Sequence, residues 1–233
     1  MNDELWLKIV KVHGHAKALI LRAEELDQEH EFVLSPVMQQ RDAHAHCMRA
    51  RVALLGLRGP GDSPDPSYCC EETRFESEQE KDDYVRTNLD RALGHEYRAF
   101  FDAADWLAIV LRERLHHALD PFPHESISSV IPEFYSEILP RLDQADREIA
   151  AIRNRKDVGS GKDILLEVEQ YSKVLKSLDQ DYERVIAAKA GVAKDATDRK
   201  RGSRMRLTLR VLAAAALAAI SALAGAQMTA ALN

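Results

Sequence analysis

The chain is poor in residues that punctuate structure. Ten glycines and eight prolines are spread over 233 positions, and aromatic residues make up only 6%. So little turn and aromatic material excludes a sandwich or barrel built of many short strands. Cysteine is scarcer still. Cys47 and the adjacent pair Cys69 and Cys70 offer no C-x-x-C spacing and no disulfide framework, so a reducing compartment is the natural setting. The opening MNDELWLKIV lacks a basic stretch followed by an apolar core, and no secretory leader is expected.

What is present is charge and helical periodicity. The net charge is −6, but it is unevenly placed. From Lys194 to Arg210 seven cations face only Asp195 and Asp198, a window of +5 that leaves −11 on residues 1–193. An acidic body excludes a general nucleic-acid coat, which needs a broadly basic face, while allowing a local basic pocket.

Leu5, Ile9, Val12, Ala16, Leu19, Ala23 and Leu26 alternate steps of four and three, which predicts a helix over about 2–31 with Trp6, Val10 and Ile20 widening its core face. Ser35-Pro36 predicts a second helix to Leu57, since proline is tolerated in a first turn. RGPGDSPDPSYCC at 58–70 is a loop. A long helix is expected from about Glu76 to Leu119, broken at Asp120-Pro121-Phe122-Pro123. Another opens at Ile131-Pro132 and runs through Arg155, and DVGSGKD at 157–163 interrupts the pattern. The stepping returns with Ile164, Val168, Tyr171, Leu175, Leu178, Tyr182 and Val185, with Gly191 and Gly202 as softening points further on. The expected fold is all-α, an antiparallel helical bundle whose long last helix becomes a single C-terminal transmembrane helix.

The transmembrane expectation rests on Val211–Leu232, twenty-two residues without a charge. As a helix it reaches roughly 33 Å, against a hydrocarbon core of about 30 Å. The domain reading is therefore a cytoplasmic bundle over 1–198, a basic juxtamembrane segment over 199–210 and the span over 211–232. Basic residues before the span place the body in the cytoplasm and the anchor in the cell membrane. Inside the span Ser221, Gly225 and Thr229 recur every four residues, beside Ala218 and Ala222, and Gln227 adds an amide. Small and hydroxylated residues favour close helix packing, so an oligomerising span is expected, with that stripe lining a pore. A buried alanine-rich helix, or a simple tether, is the bland alternative.

Most chemical motifs dissolve on inspection. The pairs His13/His15 and His44/His46 are two apart, roughly 200° around a helix, and cannot chelate from one face. GSGK at 159–162 lacks the full phosphate-loop pattern, with Asp163 after Lys162. No metal, cofactor or catalytic group is expected. Arg41 with His46, and Arg112 with His117, resemble the RxxxxH signature of HEPN ribonucleases, where the histidine does acid–base work and the arginine holds phosphate. In an unrelated bundle Arg41 would pair with Asp90 or Glu96.

Two longer stretches, RDAHAHCMRA at 41–50 and GHEYRAFFDAADWLAIVLRE at 94–113, resemble the membrane effectors of Hailong antiphage defence, a helical crown on an ion-channel domain. The likeness covers the central third of the chain and its C-terminal plan. It implies a homo-oligomer, a tetramer, in the bacterial inner membrane. The crown would bind single-stranded deoxyadenylate oligomers made by a partner nucleotidyltransferase, and channel opening on their loss would arrest growth. The residues are compatible with that. Arg41, His44, Tyr97 and Arg98 offer guanidinium, imidazole and aromatic groups suited to phosphates and stacked bases. Arg153, Arg155, Lys156 and Lys162 form a second basic cluster, whose plainer reading is a solvated helix end. A membrane-anchored ribonuclease toxin and a tail-anchored scaffold remain the alternatives.

Overall fold

The computed structural model describes residues 2–27, 34–56, 75–155 and 164–231, with side chains described for all of these except 153–155 and 219–231. Every regular element among them is helical. In order they are α1 (Asn2–Leu26), α2 (Leu34–Leu54), α3 (Glu78–Ala118), α4 (His124–Val130), a π-helical turn (Phe134–Ile138), α5 (Leu139–Arg155) and α6 (Ile164–Ala231).

Contacts divide the chain into two units. The first comprises Met1–His116 with Leu139–Glu183. Its helix directions follow from paired side chains. Gln39 meets His95 and Arg98, while His46 meets Asn88, so α2 runs antiparallel to α3. Tyr97 meets Glu167 and Asp105 meets Tyr171, so α6 runs with α3. Its core is where the stepping placed it: Ile9, Val12, Ala16, Ala23 and Leu26 of α1 are buried, as are Val168, Tyr171, Leu175 and Leu178 of α6. Ile20 joins them, but Val10 is 62% exposed, because the apolar face of α1 is narrower than its hydrophobic residues suggest. Phe100, Phe101 and Tyr171 form the aromatic centre, with Phe100 and Tyr171 edge-to-face at 6.1 Å.

The end of α2 differs from expectation for a local reason. α2 stops at Leu54 because Gly56 takes φ 80°, a left-handed closure, and its N–H bonds Ala53 O at 2.8 Å. α1 is described to Leu26, with Asp27 N still bonded four residues back to Ala23 O, and the expected end at about residue 31 lies outside the described residues.

The second unit comprises His117–Ile138 with Arg184–Asn233. The expected break at 120–123 is present, and the short helix α4 follows it. Ile138 N reaches back five residues to Glu133 O at 3.1 Å, opening the turn just before Pro140. A wider turn suits that position, since Pro140 has no N–H to give and its ring crowds the preceding carbonyls. Ile127, Ile131, Phe134 and Ile138 are buried here, with Val185 and Val192 of α6. At Gly191 a Cβ would stand 3.2 Å from Val130 Cγ1, so this glycine serves close packing, and α6 is continuous through both Gly191 and Gly202.

From Thr197 to Ala218 every side chain of α6 is exposed. Among the residues whose side chains are described, no helix is long and apolar enough to cross a membrane. Most of the expected span, including Ser221, Gly225 and Thr229, lies outside those residues.

Candidate functional site

A polar cluster lies where α2 faces α3. Gln39 and His46 are seven residues apart on α2, and Asn88 and His95 are seven apart on α3. Seven residues bring a helix back to nearly the same face. The antiparallel pairing then crosses the two sets. His95 Nδ1 lies 2.7 Å from Gln39 Oε1, and His46 Nδ1 lies 2.9 Å from Asn88 Oδ1. The imidazoles stack on one another at 5.4 Å between centroids, 19° from parallel.

Asn88 Nδ2 donates to Tyr84 O at 3.0 Å, and its Oδ1 faces His46 Nδ1. Arg98 Nε donates to Gln39 Oε1 at 3.2 Å, and the same oxygen faces His95 Nδ1. Arg49 Nη1 and Arg98 Nη2 lie 3.3 and 3.2 Å from those same two Nδ1 atoms. A guanidinium only donates, so each Nδ1 either gives its proton to the amide oxygen or accepts one from the arginine, according to its tautomer.

Electrostatics follow from this crowding. His95 is held below the usual imidazole range, first by burial and then by Arg98 and His46. Asp42 is held below the usual carboxylate range by its bond from Arg41, with His95 and His46 adding to the effect. Glu96 is 3% exposed. Its Oε1 meets His13 Nδ1 at 2.9 Å, and burial raises its carboxyl above the usual range. Burial pushes the Cys47 thiol up to about 11, which makes it a poor nucleophile. Among the described residues no group of three or more His, Cys, Asp or Glu side chains is placed to hold a metal ion.

The expected residues divide accordingly. Arg98 belongs to the cluster. Arg41 is exposed and pairs with Asp42 at 2.9 Å rather than with Asp90 or Glu96. His44 is exposed on α2. Tyr97 is 1% exposed, packs on Phe101 at 4.7 Å and donates its hydroxyl to Glu167, so its ring belongs to the core and offers no face to a base. The side chains of Arg153 and Arg155, and Lys156 and Lys162 entirely, lie outside the described residues. The second RxxxxH pair is occupied structurally, Arg112 by Asp146 at 2.7 Å and His117 by Asp120 at 2.8 Å. Gln39, Asn88, His95 and Arg49 were absent from the expected set. The two seven-residue polar steps were the signal that could have found them.

One pH prediction arises here. An unfolded His95 titrates near 6.5, and the folded ring titrates lower. The unfolded chain thus binds the proton first, so the stability His95 provides is intact above about 6.5 and lost as pH falls below it. His95→Gln should flatten the fall in urea midpoint between about pH 7.5 and 5.5. An unchanged acid limb would remove His95 as its source. No protein-family model, curated protein or solved structure matches the chain.

Proposed function

We propose that this chain is an oligomeric membrane effector of the kind its motifs resemble. Its helical body receives a phosphate-bearing signal, a short single-stranded DNA oligomer, that gates an ion pore built from the last helices of several copies. The observation that carries this reading is the course of α6. It leaves the core after Val192 and continues to Ala231, and Met205, Leu207, Leu209, Val211, Leu212 and Leu217 are all more than half exposed. These positions fall all around the helix, and apolar surface on every side calls for cover by lipid or other helices. One helix encloses no pore, so conduction needs several copies around an axis, with Ser221, Gly225 and Thr229 the stripe proposed to face it.

The α2–α3 cluster supports the signal side. The two guanidiniums of Arg49 and Arg98 with two imidazoles suit a phosphate, and an arriving anion favours protonated imidazole. Oligonucleotide binding should therefore tighten as pH falls from about 7.5 to 5.5. Replacing Arg41 and Arg98 together by alanine should weaken binding of a single-stranded deoxyadenylate oligomer roughly tenfold or more, and flatten its salt dependence. Equal affinity in that variant, with loss in Arg153→Ala/Lys156→Ala, would move the site to the second basic cluster. The channel itself is tested by membrane depolarisation in cells and by the mass of the detergent-purified full chain. A monomer would sink the pore.

One observation favours a second reading. Two stacked imidazoles beside guanidiniums can also exchange protons with a phosphodiester, as an RNA-cleaving site does. RNA cleavage by the purified chain, lost in His46→Gln, would establish that reading in place of a purely binding role.

A further inference from the structure

The cluster between α2 and α3 carries a carboxylate of its own, the wrong sign for a seat of phosphate. Gln39, Asp42, His46 and Arg49 follow one another on α2 at steps of three, four and three, which places all four on one stripe of the helix. Gln39 and His46 are the members of that stripe that meet His95 and Asn88 of α3. Asp42 stands about one turn from each of them. Its charge interacts with both imidazoles of the stack, so the carboxylate belongs to the cluster. The same carboxylate is also held by Arg41, whose Nε and Nη2 donate to Oδ1 at 3.1 and 2.9 Å. That pair is open to solvent, with Arg41 64% and Asp42 40% exposed.

We infer that Asp42 is the resident anion of this cluster, which an incoming phosphate must displace, and that it selects a chain of phosphates over a single one. A carboxylate and a phosphate beside the same imidazoles repel one another, so binding requires Asp42 to turn away. Its exposure and that of Arg41 leave the pair free to turn outward together. A single nucleotide meets the repulsion with one phosphate and no other hold. An oligomer is different. Held at Arg49 or Arg98 by neighbouring phosphates, it offers the next one at high local concentration to the place the carboxylate leaves. The inference rests on the signal-binding reading of the cluster.

The test measures binding to the full chain purified in an uncharged detergent. A single-stranded deoxyadenylate oligomer and deoxyadenosine monophosphate are the probes. Asp42→Asn keeps an oxygen for Arg41 and removes the charge. It should bind the monophosphate roughly tenfold more tightly than the unaltered chain, with a smaller gain for the oligomer, and both gains should shrink as salt rises. Asp42→Ala should behave alike, because the charge and not the hydrogen bond is what matters. Ligand-free thermal midpoints close to that of the unaltered chain show that both variants are folded. Unchanged or weaker binding in Asp42→Asn would make the carboxylate a support for Arg41 and overturn the inference. A gain that salt does not diminish, or one confined to Asp42→Ala, overturns it too. Equal gains for the two probes overturn the selectivity. If the unaltered chain and both variants fail to bind the oligomer, the signal reading and the role of Asp42 fall together. An unaltered chain that binds, with no gain in the variants, loses only the role of Asp42.

Discussion

Phe100→Ala is expected to cost about 3–5 kcal/mol of folding free energy, the range for emptying a buried aromatic site. Phe100 is fully buried. Its ring stands edge-on to Phe101 at 5.3 Å and Tyr171 at 6.1 Å, and within 6.4 Å of the His15 ring. Helices α1, α3 and α6 therefore meet on a single side chain. Edge-to-face pairs add to area burial, and the stiff rings around the void have few rotamers with which to fill it. Native stability is typically about 5–15 kcal/mol, so a loss of this size would leave the fold marginal at 25 °C. Urea unfolding of the variant checks it. A loss below about 1 kcal/mol would mean that the three helices close over the gap and that this ring is not their common support.

Removing residues 207–233 is expected to move the protein from the membrane pellet to the supernatant with its helical body intact. The buried positions of α6 end at Val192, and every described side chain from Thr197 onward is exposed. The cut therefore takes away no described core contact. Fractionation of cells expressing both forms reads the first half of the expectation, and the thermal midpoint of the shortened chain in plain buffer reads the second. A shortened chain still in the pellet would place membrane binding in the body. An aggregated one would show that the tail belongs to a protein core rather than to lipid.

The helices were legible because their cause is local. Apolar residues at steps of three and four, together with prolines at 36, 121 and 123, act within a few turns, and the observed ends of α2 and α3 fall close to the expected ones. The π-helical turn was not legible, since a single wider step leaves little mark on a hydrophobic pattern. Tyr97 shows the limit for function. An aromatic residue between Glu96 and Arg98 reads equally well as a stacking platform or a core ring, and only the position of Glu167 on another helix decides. The cluster of Gln39, His46, Asn88 and His95 was hidden for the same reason. Each helix shows only half of it, and the halves join through the register between α2 and α3.

The bare stretch of α6 has a consequence for how an assembled state can be read. Between Thr197 and Ala218 the amides are protected only by the helix's own turns. Thr197 and Thr208 each bond back to the carbonyl four residues earlier, at 2.9 and 3.0 Å, a habit that slightly weakens a helix. Such a stretch opens locally at little cost and without disturbing the core. In an isolated copy its hydrogens should exchange quickly, and trypsin should cut among Lys200, Arg201, Arg204 and Arg206. Slow exchange and resistance to cutting would then be an intrinsic reporter of cover by lipid or by neighbouring copies, with no label attached.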